Sequence, residues 1–124
     1  MLDRTGFGGL CGYDPSTMTA EANDTLIAEA GRRLAAAAPD AQVILFGSRA
    51  RDEARPDSDL DLLVIEPEVK SRKAEYVRLR QQLRNLDVAV DLVIVTERHV
   101  EEWGHFEGTM LNDALREGRV LAAA

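Results

Sequence analysis

Apolar positions along the chain follow two rhythms, one helical and one of short unbroken runs. Leu26, Ile27, Ala30 and Leu34 recur at helical spacing, the alanines at 35–38 continue that helix, and Pro39 stops it. Gln42-Val43-Ile44-Leu45-Phe46 then reads as a short buried strand. Gly47-Ser48 ends it and opens a brief, Arg-rich turn or helical segment to about residue 53, and Arg55-Pro56-Asp57-Ser58 is a turn signal. A second buried strand runs from about Leu60 to Ile65 and is closed by Pro67.

Residues 69–86 have the polarity of a long surface helix, with Tyr76, Val77, Leu79, Leu83 and Leu86 as its expected buried side. Residues 88–95 form a third apolar strand interrupted only by Asp91. Thr96 is a suitable N-cap for a further helix, and a last helix over about 110–116 ends at Gly118. The order predicts an α/β (α+β) domain: a small β-sheet flanked by helices. The connection from Phe46 to Leu60 is short for a parallel crossover, so the sheet should be mixed. Residues 1–16, Gly-rich and carrying Asp14-Pro15, read as a flexible leader to one domain over 17–124.

Composition narrows the function classes. At 124 residues and 45% hydrophobic content the chain can bury one real core. A formal net charge of −7 argues against strong nucleic-acid binding, which needs a surplus of Lys and Arg. Cys11 is the single cysteine, which excludes an internal disulfide and a Cys-based zinc site and fits a reducing compartment. No apolar run is long enough to span a membrane and the first residues do not resemble a secretory signal, so a cytoplasmic location is expected.

The chemistry lies at the strand ends. In Asp59-Leu60-Asp61 the two aspartates point to one face while Leu60 and Leu62 pack into the other. Their Cα atoms should lie about 6.5–7 Å apart, within reach of a shared divalent ion. Asp91 stands alone in an apolar strand, where an ionised carboxylate is costly unless paired or metal-bound. If the third strand lies beside the second, Asp59, Asp61 and Asp91 form one all-oxygen cluster suited to Mg²⁺ or Mn²⁺. Upstream, Gly47 permits close backbone approach to a phosphate, Ser48 can donate its hydroxyl, and Arg49 and Arg51 carry phosphate-matching guanidiniums.

Other readings of these residues fail or remain bland. Asp57, Asp59, Asp61 and Glu68 match positions one, three, five and twelve of a calcium-binding EF-hand loop, but position six is Leu62 where glycine is needed. Gly47-Ser48 lacks the second Gly-Lys-Ser/Thr of a Walker loop. Asp91 paired with an arginine is the structural alternative to a ligand. Lys70, Arg72, Lys73, Arg78, Arg80 and Arg84 are most simply a solvated helix face. His99, Trp103 and His105 lack metal-ligand spacing and read as packing or surface residues.

Residues 45–51 and 55–64 together resemble the minimal nucleotidyltransferases of the DNA polymerase β-like superfamily. That family's pattern is Gly-Ser, ten residues, then Asp-x-Asp; here Gly47-Ser48 precedes Asp59-Leu60-Asp61 with 49–58 as the ten. Asp91 sits where the family carries its third carboxylate, on the strand after the next helix. Glycine often follows the second arginine in the family, whereas here Asp52 does, which bears on the turn and not on the carboxylates.

The resemblance implies two Mg²⁺ ions (or Mn²⁺) held by Asp59, Asp61 and Asp91. It implies ATP as substrate, bound with help from Gly47, Ser48, Arg49, Arg51 and Ser58. Larger relatives carry an added acceptor domain for which this length leaves no room, so the acceptor is expected from a partner or from a second copy in a homo-oligomer. The small members most similar to this chain are antitoxins of HEPN-domain toxins, which they silence by transferring AMP to a toxin tyrosine. The alternative is a non-catalytic antitoxin that binds nucleotide and masks its toxin.

Overall fold

The computed structural model describes residues 20–47, 59–86 and 88–123. The expected leader, together with Ser48, Arg49, Arg51 and Ser58, lies outside the described residues. The first helix, α1 (Ala20–Ala37), buries Ile27, Ala30 and Leu34 along one side, and Ala38 directly beyond it is buried too. The chain then enters β1 (Gln42–Phe46), which pairs antiparallel with β2 (Leu60–Glu66) from Gln42 opposite Ile65 to Phe46 opposite Asp61.

A crossover through α2 (Arg72–Gln82) brings β3 (Val90–Thr96) parallel to β2 on its other side. Thr96 caps α3 (Glu97–Trp103), its hydroxyl accepting from the His99 N–H at 3.1 Å. Thr109 caps α4 (Met110–Glu117) in the same way through Asn112. Gly118 closes α4 and leads directly into β4 (Arg119–Ala122), antiparallel to β1. A side chain at Gly118 would run into Ile44 and the Leu45 carbonyl, so only glycine lets α4 turn this tightly onto the sheet.

The result is a mixed four-stranded sheet of order β3-β2-β1-β4, in agreement with the predicted fold class. Strand alternation gives each face its own core. Val43, Leu45, Leu60, Leu62, Val64, Leu92 and Ile94 face α1 and α2, where Leu34, Leu79 and Leu83 meet them. Ile44, Leu63, Ile65 and Val95 face the other way, against Leu111 and Ala114 of α4. Among the described residues no helix is long and apolar enough to cross a membrane.

Two expectations need correction. The second helix is shorter than 69–86: Ser71 caps it by accepting from Ala74 N–H, and beyond the C-cap Leu83 the backbone of Asn85 turns to a φ of +70°. Tyr76 and Val77 do not face the core. They are 40% and 48% exposed, while Leu79 and Leu83, with Val69 and Leu86 partly buried beside them, make the contact with the core. The strand β4 had no sequence signal, since Arg119-Val120-Leu121-Ala122 is short, half exposed and ordered by its pairing.

Arg78 is likewise more than a solvated charge. It grips both carboxylate oxygens of Glu75 (3.0 and 2.6 Å) and donates to the Ala37 carbonyl at 2.7 Å, joining α2 to the end of α1. Arg33 repeats the tie in reverse, donating to the Gln82 and Arg84 carbonyls at 3.3 and 2.9 Å. Beside Arg78 sits Glu66, the last residue of β2. Its Oε2 is buried with no hydrogen-bond partner, and a second carboxylate, Glu75, adjoins it. Burial, then the hydrogen bond and the like charge of Glu75, push the Glu66 carboxyl up to about 7, against the pull of Arg78. A proton on Glu66 is what lets the two carboxyls share a hydrogen bond.

The folded pKa of Glu66 lies above the unfolded one, so the folded state holds this proton more tightly. Its stabilising effect is complete below about pH 4.5 and is lost as pH rises through about 7. Glu66→Gln removes the charge while keeping a donor toward Glu75. The variant should therefore melt about 4 °C above the natural chain at pH 8, a gain of about 1 kcal/mol, and the gap should close by pH 5. Thermal melts at the two pH values check this.

Candidate functional site

The site is built where two ladders meet at one residue. Asp61 is the second residue of β2; across the antiparallel ladder it faces Phe46, and across the parallel ladder it faces Asp91. Adjacent strands lie about 4.8 Å apart, so the Asp61 and Asp91 backbones are neighbours. The parallel pairing extends one step before the strand through the Leu60 N–H, which donates to the Ala89 carbonyl at 2.8 Å. Asp59 directly precedes the strand at this point.

Asp61 and Asp91 belong to the face that α3 and α4 cover farther along the strands, since Leu63, Ile65 and Val95 continue the same alternation. Asp59 and Asp91 are exposed and Asp61 is half-buried. The expectation of Asp91 as a buried carboxylate is thus corrected: β3 is an edge strand and Asp91 is its second residue, so water reaches it.

Gly47 follows β1 directly and has a φ of +78°, a region that L side chains rarely adopt. The Asp61 side chain occupies the space a Cβ at Gly47 would need, with Asp61 Cγ 3.1 Å and Cβ 3.4 Å from that position. Glycine here does two things. It lets the chain turn away from the sheet, and it leaves room for the Asp61 carboxylate against the backbone. Phe46, which pattern reading assigned only to the strand, is the side chain beside Asp61 on this face and packs partly into the core under α4. Its place on that face follows from the pairing of β1 with β2, since the unbroken apolar run of β1 does not mark either face.

The donor set tests whether a metal fits. Among the described residues no three acidic, His or Cys side chains converge closely enough to form a ready metal cage. Yet Asp61 and Asp91 share one face on adjoining strands, Asp59 directly precedes the first of those strands, and all three carry oxygen donors. An all-oxygen donor set of this kind suits a hard divalent cation such as Mg²⁺ better than zinc. A cavity of about 460 Å³ lies elsewhere, between α1 and β4, and is not lined by Asp59, Asp61 or Asp91.

Comparison with known proteins bears on the family and the fold. The sequence profile of the nucleotidyltransferase domain family matches residues 27–121. A Sulfolobus solfataricus protein with a provisional nucleotidyltransferase assignment is similar in structure, with a TM-score of 0.58 and 17% identity over 90% of each chain. A toxin–antitoxin complex with AMP-PNP contains a chain with a TM-score of 0.56 and 20% identity, covering 82% of this chain and 74% of that one. A chain of the toxin–antitoxin pair MntA–HpeT, carrying two aspartate-to-glutamate substitutions, gives 0.52 and 17% over 82% and 72%. These likenesses establish the fold. No curated protein matches the sequence.

Gly47→Ala tests the cradle. Alanine at positive φ, with its methyl group against the Asp61 carboxylate, should cost about 1–2 kcal/mol in thermal unfolding. It should also weaken Mg²⁺–ATP binding by about tenfold or more in titration calorimetry, because Asp61 is displaced. A variant that melts and binds as the natural chain does would mean that Gly47 does not position Asp61.

Proposed function

The chain belongs to the nucleotidyltransferase domain family, and on that premise we propose that it transfers AMP from Mg²⁺–ATP to a hydroxyl of a partner protein. The partner in this reading is a HEPN-domain toxin, the acceptor one of its tyrosines, and the chain its antitoxin. The observation that carries the reading is the in-register pairing of Asp61 with Asp91 beside the Gly47 cradle. A protein that only masks its partner has no need of that arrangement. Two similar solved structures are toxin–antitoxin complexes, one of them with AMP-PNP, which supports a toxin partner and an adenine nucleotide.

In this reading Asp59 and Asp61 would hold two divalent ions and Asp91 the one nearer the acceptor. Metal bound there supplies neutralisation of charge on the leaving phosphates and a lowered pKa for the acceptor hydroxyl. The chain's own residues do the rest. Gly47 keeps the Asp61 carboxylate in one orientation, and Ser48 with the neighbouring amides grips the terminal phosphates, aided by Arg49, Arg51 and Ser58. Asp91, exposed at the sheet edge, receives the hydroxyl proton. The hydroxyl oxygen bonds to the α-phosphorus, the bond from that phosphorus to the bridging oxygen breaks, and pyrophosphate leaves with the electron pair.

The experiment is transfer of label from α-labelled ATP, with Mg²⁺, to the protein that co-purifies with the chain. The natural chain should label a tyrosine of that partner. Asp61→Asn should reduce labelling by about 100-fold or more while leaving the melting temperature close to unchanged. If no label moves, and the variant still neutralises the partner, the protein acts by covering its partner and the transfer reading fails.

A further inference from the structure

Two exposed faces of the chain complement one another, and the fold keeps them apart. On α2, Lys73, Val77 and Arg80 follow at spacings of four and three and so share one side of the helix, with Tyr76 flanking them. Residues 70–84 hold six basic residues against the single acid Glu75, and that acid is taken by Arg78. The side of α2 turned to solvent is therefore a basic stripe with Tyr76 and Val77 exposed in its midst.

The α3–α4 corner has the opposite character. Trp103, Phe106 and Met110 are 53%, 46% and 46% exposed. The Trp103 and Phe106 ring centroids lie 5.4 Å apart, and His105 stacks on Phe106 at 4.5 Å, so an aromatic cluster stands organised in water with nothing covering it among the described residues. Residues 97–117 hold six acids against two arginines, and both arginines are engaged within the segment, Arg98 with Glu102 and Arg116 with Asp113. Exposed Glu101, Glu102 and Glu107 leave this corner acidic.

The two patches belong to opposite faces of the sheet, since α2 packs on one core and α4 on the other. One chain cannot bring its own patches together. A two-fold contact would set like charge against like and is disfavoured. We infer that the aromatic corner of α3–α4 docks the basic, Tyr76–Val77 face of α2 on a second copy, making a head-to-tail contact between chains. Buried aromatics at the centre would give such a contact its strength, and the opposed charges would orient it. The inference does not rest on the transfer reaction.

Trp103 is the only tryptophan, so its emission reports directly on cover over the patch. In low salt, sedimentation velocity should show mass rising with concentration, with a parallel blue shift of Trp103 emission; high salt should reverse both. Lys73→Glu/Arg80→Glu and, separately, Glu102→Lys/Glu107→Lys should each raise the dissociation constant by about tenfold or more, because each sets like charges together. Mixing the two variants should restore association, since each then offers the charge the other lacks. A natural chain that stays monomeric with unshifted Trp103 emission overturns the inference. So does association that survives unchanged in both variants, or a mixture that does not reassociate.

Discussion

The parallel ladder between β2 and β3 is the constraint on which the rest of the molecule depends. Its register sets Asp61 against Asp91, Leu62 against Leu92 and Val64 against Ile94 in one alternation. A slip of one residue would turn Asp91 toward α1 and α2 and bring Leu92 out to the aspartate face. The core and the site are thus specified together. Burial of Leu62, Val64, Leu92 and Ile94 under α1 and α2 holds the same register that makes neighbours of two carboxylates. Repulsion between those carboxylates is a small cost beside the apolar surface that the register buries.

The second ladder adds the Gly47 side. Because Phe46 pairs with Asp61, the residue after Phe46 must leave the sheet next to the Asp61 side chain, and that residue is Gly47. A larger residue would meet the carboxylate, and an L residue would be strained at that φ. The helices on the same face lie over the far half of the strands, where Leu63, Ile65 and Val95 need cover, and leave the aspartate end in water. Packing and access are divided along the length of the same strands.

Pattern reading reached the elements whose stability is local or whose burial is complete. The three apolar strands, the helix stop near Pro39, the Thr96 cap and the Gly118 stop all carry their own signals and recur in the structure. Asp61 and Asp91 were legible as unusual residues, but their adjacency depends on strand order, which periodicity does not contain. β4 was missed because its four residues are held by hydrogen bonds to β1 and not by an apolar face. The misreading of Tyr76 and Val77 has a similar cause: helical spacing identifies a stripe, and only the width of the neighbouring contact decides how much of it is buried.

Asp91 is more exposed than its apolar neighbours in sequence imply. An apolar strand around a carboxylate suggests desolvation, yet the carboxylate lies near the start of an edge strand and is exposed. Its reading as part of the site therefore rests on position and not on the cost of a buried charge. Position is the stronger ground for a residue proposed to share a cation, because an exposed carboxylate next to Asp61 is open to a ligand from water. A buried one would be held by its own partners. The overall −7 charge likewise hides a division, with basic residues gathered on α2 and acids on α3–α4. Net charge alone cannot show this division; the fold does, by placing the two signs on opposite faces of one sheet.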